Sequence, residues 1–337
     1  MTRGAQSFGK PYPSATITPS LRVSNASQAS SGSIHVRMTG PLSVTIAIPT
    51  YRREQVLIDT IESLLQLVPG AAEILVLDQT NNHAERTEAL LRHWDEGGQV
   101  RWLRLPEPSI PGAMNRGLLE ARQEIVIFLD DDVVPFSGLV ATHLNAHRKG
   151  HELVAGRVLQ PWDGDGTDAS WAAKQFASTE SREIEGFMGG NFSVRRNVAL
   201  ELGGFDENFV RAAYNFEREF ADRWRAGGGR IHFCPDAAIR HLKASSGGTR
   251  TYGEHLTTLS PAHSVGAYYY LLRSKLADHR IREFVGRPFR AVMTRHHLRR
   301  PWWIPVTLIA ELAGMLWALM LQARGPRYCS LRSKGRS

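Results

Sequence analysis

An α/β fold, with a mostly parallel central sheet covered by helices on both faces, is predicted by three features of the chain. Short apolar, β-branched runs alternate with helix-patterned segments four times between residues 44 and 129, the rhythm of strands joined by crossover helices. Polar residues follow these runs at Pro49-Thr50-Tyr51 and at Asp78, where open α/β sheets bind ligands. The fourth run, Ile125–Leu129, opens directly into Asp130, Asp131 and Asp132.

The elements follow in order. Val44–Ile48 is a first strand, stopped by Pro49, and residues 54–67 carry Val56, Ile61, Leu64 and Leu65 at near-helical spacing. Glu73–Leu77 is a second strand, residues 83–94 a helix, and Val100–Leu105 a third strand. Pro106–Gly112 reads as a loop feeding a helix near Ala113–Ala121, before the strand at 125–129. Beyond residue 150 the rhythm is lost. Strands are expected at 153–159, 189–195 and 230–234, with a short one at 238–241. Short helices are expected at 197–202 and around Phe216–Arg225, the latter ended by Gly227-Gly228-Gly229.

Three carboxylates at one strand end repel each other unless a cation sits among them. Mg²⁺ and Mn²⁺ take carboxylate oxygens together with substrate phosphates, so the cluster points to an enzyme that holds a nucleotide diphosphate. Composition agrees with a folded protein: of 337 residues, 42% are hydrophobic and 22% charged. The net charge of +8 draws heavily on C-terminal arginines, which fits an anionic membrane or acidic substrate. No zinc-finger spacing or RNA-recognition signature supports nucleic acid as partner. Cys234 and Cys329 are the only cysteines, which excludes a disulfide framework and fits a reducing compartment.

Residues 1–40, rich in Ser, Thr and Gly, are expected to be a flexible leader. Residues 262–277 read as a helix with an aromatic centre that packs on the preceding domain. Between Trp302 and Leu321 the only formal charge is Glu311, and such a length spans a bilayer core. Thr307, Glu311, Gly314, Ala318 and Gln322 share one side of that helix. It either crosses a membrane with this stripe against another helix, lies in the interface, or packs within the soluble domain.

Seven segments in order resemble the family 2 glycosyltransferases with the GT-A fold. They are Ile46–Arg52, Leu75–Asp78, Gly112–Gly117, Phe128–Asp132, Gly189–Arg196, Gly203–Glu207 and Glu217–Glu219. The match runs over roughly residues 42–245. The resemblance implies a Rossmann-like GT-A catalytic domain over residues 41–255, inverting chemistry, a nucleotide diphosphate sugar donor and a divalent cation, Mn²⁺ or Mg²⁺. It implies that Pro49, Thr50 and Arg52 line the nucleotide and that Asp78 meets the base. Asn115 would border the donor pocket, and Asp130 would face the ribose or sugar with Asp131 beside it. Asp132 would hold the metal, and Gly190 and Asn191 would form the floor under donor sugar and acceptor.

Glu217 falls where the family carries its general base, usually an Asp, and Phe216 replaces the Glu before it. His241 is either a further metal ligand or a scaffold residue. The segment Lys243–Arg250 either closes over the pyrophosphate or is a linker. The acceptor implied is a lipid-linked or cell-surface glycan, reached from the cytoplasmic side of the membrane. A helical extension over 256–300, a membrane-associated helix over 301–322 and a basic tail over 323–337 complete the expected organisation. A sugar-phosphate nucleotidyltransferase would need a glycine-rich loop after the first strand, and Pro49–Arg53 has no glycine. A non-catalytic binding protein on the same fold is the other alternative, separated by metal-dependent release of nucleoside diphosphate.

Overall fold

A computed structural model describes residues 42–163, 174–253, 256–274 and 280–329. The expected leader, residues 164–173 and the last eight residues of the basic tail lie outside them. In chain order the elements are β1 (Val44–Thr50), α1 (Gln55–Leu65), β2 (Glu73–Asp78), α2 (Glu85–Glu96), β3 (Arg101–Arg104), α3 (Ile110–Glu120) and β4 (Ile125–Leu129). Then come β5 (Val133–Pro135), α4 (Leu139–Arg148), β6 (Leu153–Leu159), α5 (Lys174–Ala177), β7 (Arg182–Ile184), β8 (Asn191–Arg195) and α6 (Arg196–Glu201). The chain continues through α7 (Phe216–Ala226), β9 (Ile231–His241), α8 (Ser264–Arg273), α9 (Arg280–Val292), α10 (Arg295–Arg299) and α11 (Trp303–Arg324).

One sheet runs in the order β3-β2-β1-β4-β8-β6-β9-β5, with β7 also on β9. The first four strands are parallel, as the alternation predicts. Beyond β4 the sheet is mixed, because β8 runs antiparallel to both β4 and β6 while β6 and β9 are parallel. Side chains of each strand alternate between two cores. Ile46 and Ile48 of β1 join Leu57 and Ile61 of α1 on one face; Ala47 joins Leu118 of α3 and Phe128 of β4 on the other. Helix α3 reaches the sheet closely through Gly117, where a Cβ would stand 2.9 Å from Leu77 Cδ1 and 3.0 Å from Phe128 Cε1.

Two boundaries differ from expectation. Helix α3 starts at Ile110, inside the expected loop, since Ser109 caps it by accepting from Gly112 N at 3.1 Å. Pro111 falls in the first turn, where a missing N–H leaves no helical bond unmade. The two strands expected at 230–234 and 238–241 are one strand, β9, whose pairing with β6 slips between Cys234 and Ala238. The extra residues include Pro235, which has no N–H for the ladder, so a bulge absorbs them. The short elements β5 and β7 and the helix α4 were not anticipated.

Aromatic packing fixes the second half of the chain on the first. Phe128 of β4 stacks on Phe192 of β8 at 5.1 Å, and Phe205 stacks on Phe220 of α7 at 4.5 Å. Phe216, the departure from the family pattern, is buried and meets Phe205 edge-on at 5.8 Å. The ring anchors α7 in the core.

The aromatic helix α8 packs as expected, and its three consecutive tyrosines reach three elements because successive helical residues are about 100° apart. Tyr268 Oη donates to Glu311 Oε2 of α11 at 2.7 Å, Tyr269 Oη to Asp206 Oδ2 at 2.8 Å, and Tyr270 Oη to Asp222 Oδ2 of α7 at 2.9 Å. On α11, Thr307, Glu311 and Ala318 are buried, and Gly314 with them, its missing Cβ leaving room for Ser264. Gln322 is half-buried. The opposite side, Ile309, Leu312, Leu316, Leu319 and Met320, is exposed. By length and composition α11 is apolar enough to cross a membrane.

Gly314→Leu therefore forces α11 off α8, since a Cβ there would lie 2.1 Å from Ser264 Oγ. Overpacking of this kind costs about 1–3 kcal/mol, read as a lower denaturant midpoint. Leu316→Ala on the exposed side leaves the midpoint nearly unchanged. Equal midpoints for both variants would contradict the docking of this helix.

Candidate active site

The ends of β1, β4 and β9 meet in one cavity of about 1050 Å³. The carboxyl end of β4 supplies Asp130–Asp132, and pairing of Val133 with His241 brings the last residue of β9 opposite them. His241 Nε2 lies 3.1 Å from Asp132 Oδ1 and 3.8 Å from Asp130 Oδ2. Its Nδ1 is 3.2 Å from Gln160 Oε1. That carbonyl can only accept, which places a proton on Nδ1 and leaves Nε2 to the carboxylates. One atom from each of Asp130, Asp132 and His241 falls within 4.8 Å of the others. Two carboxylate oxygens and an imidazole nitrogen form a donor set that fits a divalent cation.

Arg53, which the sequence reading passed over in favour of Arg52, organises the acids from behind. Its Nε donates to Asp131 Oδ1 at 3.1 Å and its Nη2 to Asp132 Oδ2 at 3.4 Å. Thr50 Oγ1 donates to Asp131 Oδ2 at 2.7 Å. Asp131 is thus turned towards β1 and away from the His241 side. Burial still pushes it up to about 7, against the pull of Arg53 and Thr50. Burial also raises Asp130, assisted by Asp132 and opposed by His241 and Arg53. For Asp132, burial is outweighed by the His241 contact, the Ala244 N–H and Arg53, which hold it below the usual carboxylate range. Arg52 does not line the cavity; its guanidinium lies over the Tyr51 ring at 5.1 Å. It has a left-handed backbone (φ 54°), which turns the chain so that Arg53 points inward. Nothing in the strand pattern signals that turn.

The segment Lys243–Arg250 is tied down over the acids. Ala244 N donates to Asp132 Oδ2 and Gly248 N to Tyr51 O, each at 2.8 Å, and Arg53 Nη1 bonds Ser246 O. Gly248, Thr249 and Arg250 line the cavity.

Glu217, in the first turn of α7, lines the same cavity. Two glycines make room for the acids: a Cβ on Gly189 would lie 3.0 Å from Glu217 Oε1, and one on Gly190 2.2 Å from Asp130 Oδ2. Burial pushes Glu217 up to about 7, with the Asp130 charge adding to it. Among the described residues no cation pairs with Glu217. The loop before it carries Arg211, Ala213 and Asn215 in left-handed conformations, strain of the sort held at functional sites. Glu219, by contrast, is buried away from the cavity and bonded to Arg223 Nε at 2.8 Å.

Pro49, Thr50, Asp130, Asp131, Asp132, Gly190, Glu217 and His241 thus line one cavity, whereas Arg52, Asp78, Asn115 and Asn191 stand outside its lining. The Asp78 carboxylate accepts from Thr80 N (2.8 Å) and Trp102 Nε1 (2.9 Å) and lies 2.8 Å from His83 Nε2. Burial would raise Asp78, but these partners outweigh it and lower its pKa. Asn115 clamps the backbone of Phe205, donating to its O at 2.9 Å and accepting from its N at 2.8 Å. Asn191 donates to Arg157 O and Ala237 O and meets His143 Nε2 at 3.1 Å. Burial pushes His143 down to about 4, so this crosslink behind β8 is uncharged at neutral pH. Asn115 and Asn191 are thus bonded to backbone groups of neighbouring segments.

The profile of glycosyl transferase family 2 matches residues 45–205. A glucosyltransferase of Campylobacter jejuni subsp. jejuni, described as GalNAc(5)-diNAcBac-PP-undecaprenol beta-1,3-glucosyltransferase, is 27% identical over 179 residues. The match takes in 49% of this chain and 55% of that protein, so the chain spans about half the length of this relative. Among solved structures, GalNAc-T7 with UDP, GalNAc and Mn²⁺ superposes with a TM-score of 0.58 at 15% identity, over 85% of this chain and 57% of that one. The mannosyltransferase PcManGT of Pyrobaculum calidifontis, in complex with GDP-Man and Mn²⁺, gives 0.51 at 19% identity, over 85% and 80%. The fold is GT-A, and residues 45–205 of the chain match glycosyl transferase family 2.

Proposed function

We propose that the protein is an inverting hexosyltransferase that moves a sugar from a nucleotide diphosphate sugar to an acceptor hydroxyl of a lipid-linked glycan. The observation that carries this reading is a single cavity lined both by a cation-binding set and by a raised carboxylate that has no cation partner among the described residues. Asp130, Asp132 and His241 would hold a divalent cation, Mn²⁺ or Mg²⁺, which when bound neutralises charge on the leaving diphosphate. Arg53 and Thr50 keep Asp131 turned inward, so the acids do not compete for one orientation. Gln160 fixes the His241 ring. Glu217, once ionised, takes the proton from the acceptor hydroxyl as that oxygen attacks the anomeric carbon. One base and no covalent intermediate give a single displacement, which inverts configuration.

The lipid-linked acceptor is supported by the relative's printed substrate and by the exposed apolar side of α11. The polar stripe of α11 is docked on α8 through Tyr268 and Glu311. A spanning helix would have to break that contact, which favours α11 lying at the membrane interface. The nucleotidyltransferase alternative is not favoured, since the segment after β1 lacks glycine.

Asp132→Ala is expected to abolish metal-dependent nucleotide binding while the melting temperature shows the fold intact; full turnover in that variant would sink the metal assignment. Gly190→Ala pushes a methyl into Asp130, so the same binding assay should weaken without any charge being removed. Unchanged affinity would show that Asp130 plays no part.

Glu217→Gln keeps the shape and removes the proton acceptor, so kcat should fall by about 10²–10⁴-fold with donor affinity nearly constant. A base raised to about 7 is protonated and idle below that pH. Wild-type kcat should therefore rise through pH 7 and level off above it, and the Gln variant should lack this limb. Glu219→Gln should lower stability and spare kcat, and a larger kcat loss at position 219 would move the base there.

A further inference from the structure

A second cavity, of about 580 Å³, lies between α7, α8, α9 and α11. It adjoins the first, since Tyr214, Asn215, Arg218 and Tyr270 line both. Three arginines face it, Arg218 of α7 and Arg287 and Arg290 of α9, against two carboxylates, Glu283 and Glu311. Glu311 is taken up by Tyr268 Oη at 2.7 Å and Arg287 Nε at 3.0 Å. The Arg290–Glu283 pair, at 2.6 Å, is half-exposed on both sides, and such pairs hold weakly in water. Arg218 has no carboxylate partner among the described residues and lies over the Tyr270 ring at 5.4 Å. The cavity is therefore suited to an anion, and one place along its wall is next in sequence to Glu217.

Helix α9 separates this cavity from a different surface. Glu283, Arg287, Arg290 and Thr294 line the cavity. Ile281, Val285, Phe289 and Met293, at steps of four, are 61–79% exposed on the outer side. Leu298 and Trp302 extend that exposed apolar surface towards α11. A helix with an apolar outer side and arginines behind it seats in a bilayer interface with its basic side at headgroup level. A cavity behind such a helix, opening towards the base, lies between the lipid phase and the catalytic carboxylate.

We infer that the second cavity binds the phosphate that joins a lipid-linked acceptor to its carrier, through Arg218 and Arg290, with the glycan reaching Glu217 by the shared opening. This rests on the proposed transfer to a lipid-linked glycan and names the part of the acceptor the protein holds. Arginine forks suit phosphate oxygens, and the cavity has the volume of an ordinary small-ligand site.

The test is equilibrium binding of farnesyl diphosphate to the full chain in neutral detergent with EDTA, so that the metal-dependent first cavity takes no diphosphate. Farnesol, inorganic pyrophosphate and phosphatidylglycerol vesicles are run in parallel. Farnesyl diphosphate should bind at least about tenfold tighter than farnesol or pyrophosphate, because charge-assisted contacts and an apolar chain act together. Arg290→Gln alone, and Arg218→Ala with Arg290→Gln, should remove most of that advantage, with melting temperatures near wild type. Equal binding of farnesol, or undiminished binding in both variants, overturns the inference. So does an equal loss on phosphatidylglycerol vesicles, which would assign the arginines to bilayer headgroups. No donor or turnover enters the measurement, so its failure is separable from failure of the glycosyltransferase reading.

Discussion

The structure around the site depends on the accommodation of three carboxylates at the end of one strand. Asp130, Asp131 and Asp132 are consecutive, and enclosure raises two of them. Arg53 takes one oxygen each from Asp131 and Asp132, and His241 meets Asp132 and Asp130 from across the β5–β9 pairing. Arg53 is the cation bonded to these acids and His241 Nε2 is a donor atom, so negative charge is left over among the three, which is the electrostatic reason the pocket suits a divalent ion and the phosphates it accompanies. The left-handed turn at Arg52, the tied loop at Ala244–Gly248 and the glycines at 189 and 190 all serve this arrangement.

The C-terminal helices belong to the same construction. The tyrosines of α8 connect α7, which carries Glu217, to α11 and to the turn at Asp206. The chain after α11 returns to that turn, with Cys329 N donating to Gly203 O at 2.7 Å and Arg327 N to Asp206 Oδ1 at 2.9 Å. Any membrane contact of α9 and α11 therefore bears on the helix that holds the proposed base through packed side chains and short hydrogen bonds.

The parallel half of the sheet was legible because β1, β2 and β4 are buried on both faces and read as unbroken apolar runs. The acid cluster was legible because a strand that opens into three aspartates has few structural explanations. The mixed half was less so: β5 and β7 are three residues each, too short to show a period, and the bulge in β9 split one strand into two apparent ones. Arg53 was missed because its role comes from a backbone turn, not from spacing. The roles of Asn115 and Asn191 came from resemblance, and only coordinates reveal that their amides serve backbone groups. Phe216 illustrates the converse: a departure from the family pattern becomes intelligible once its ring is found against Phe205.

The central claim is that this cavity binds a nucleoside diphosphate through a divalent cation. A thermal-shift panel of UDP, GDP, dTDP and CDP, each with Mn²⁺ and with EDTA, tests it most directly, because a ligand of the native state raises its stability by mass action. The account predicts that at least one nucleotide raises the melting temperature with Mn²⁺ and loses that effect in EDTA. No shift with any nucleotide, or a shift of equal size in EDTA, would contradict it.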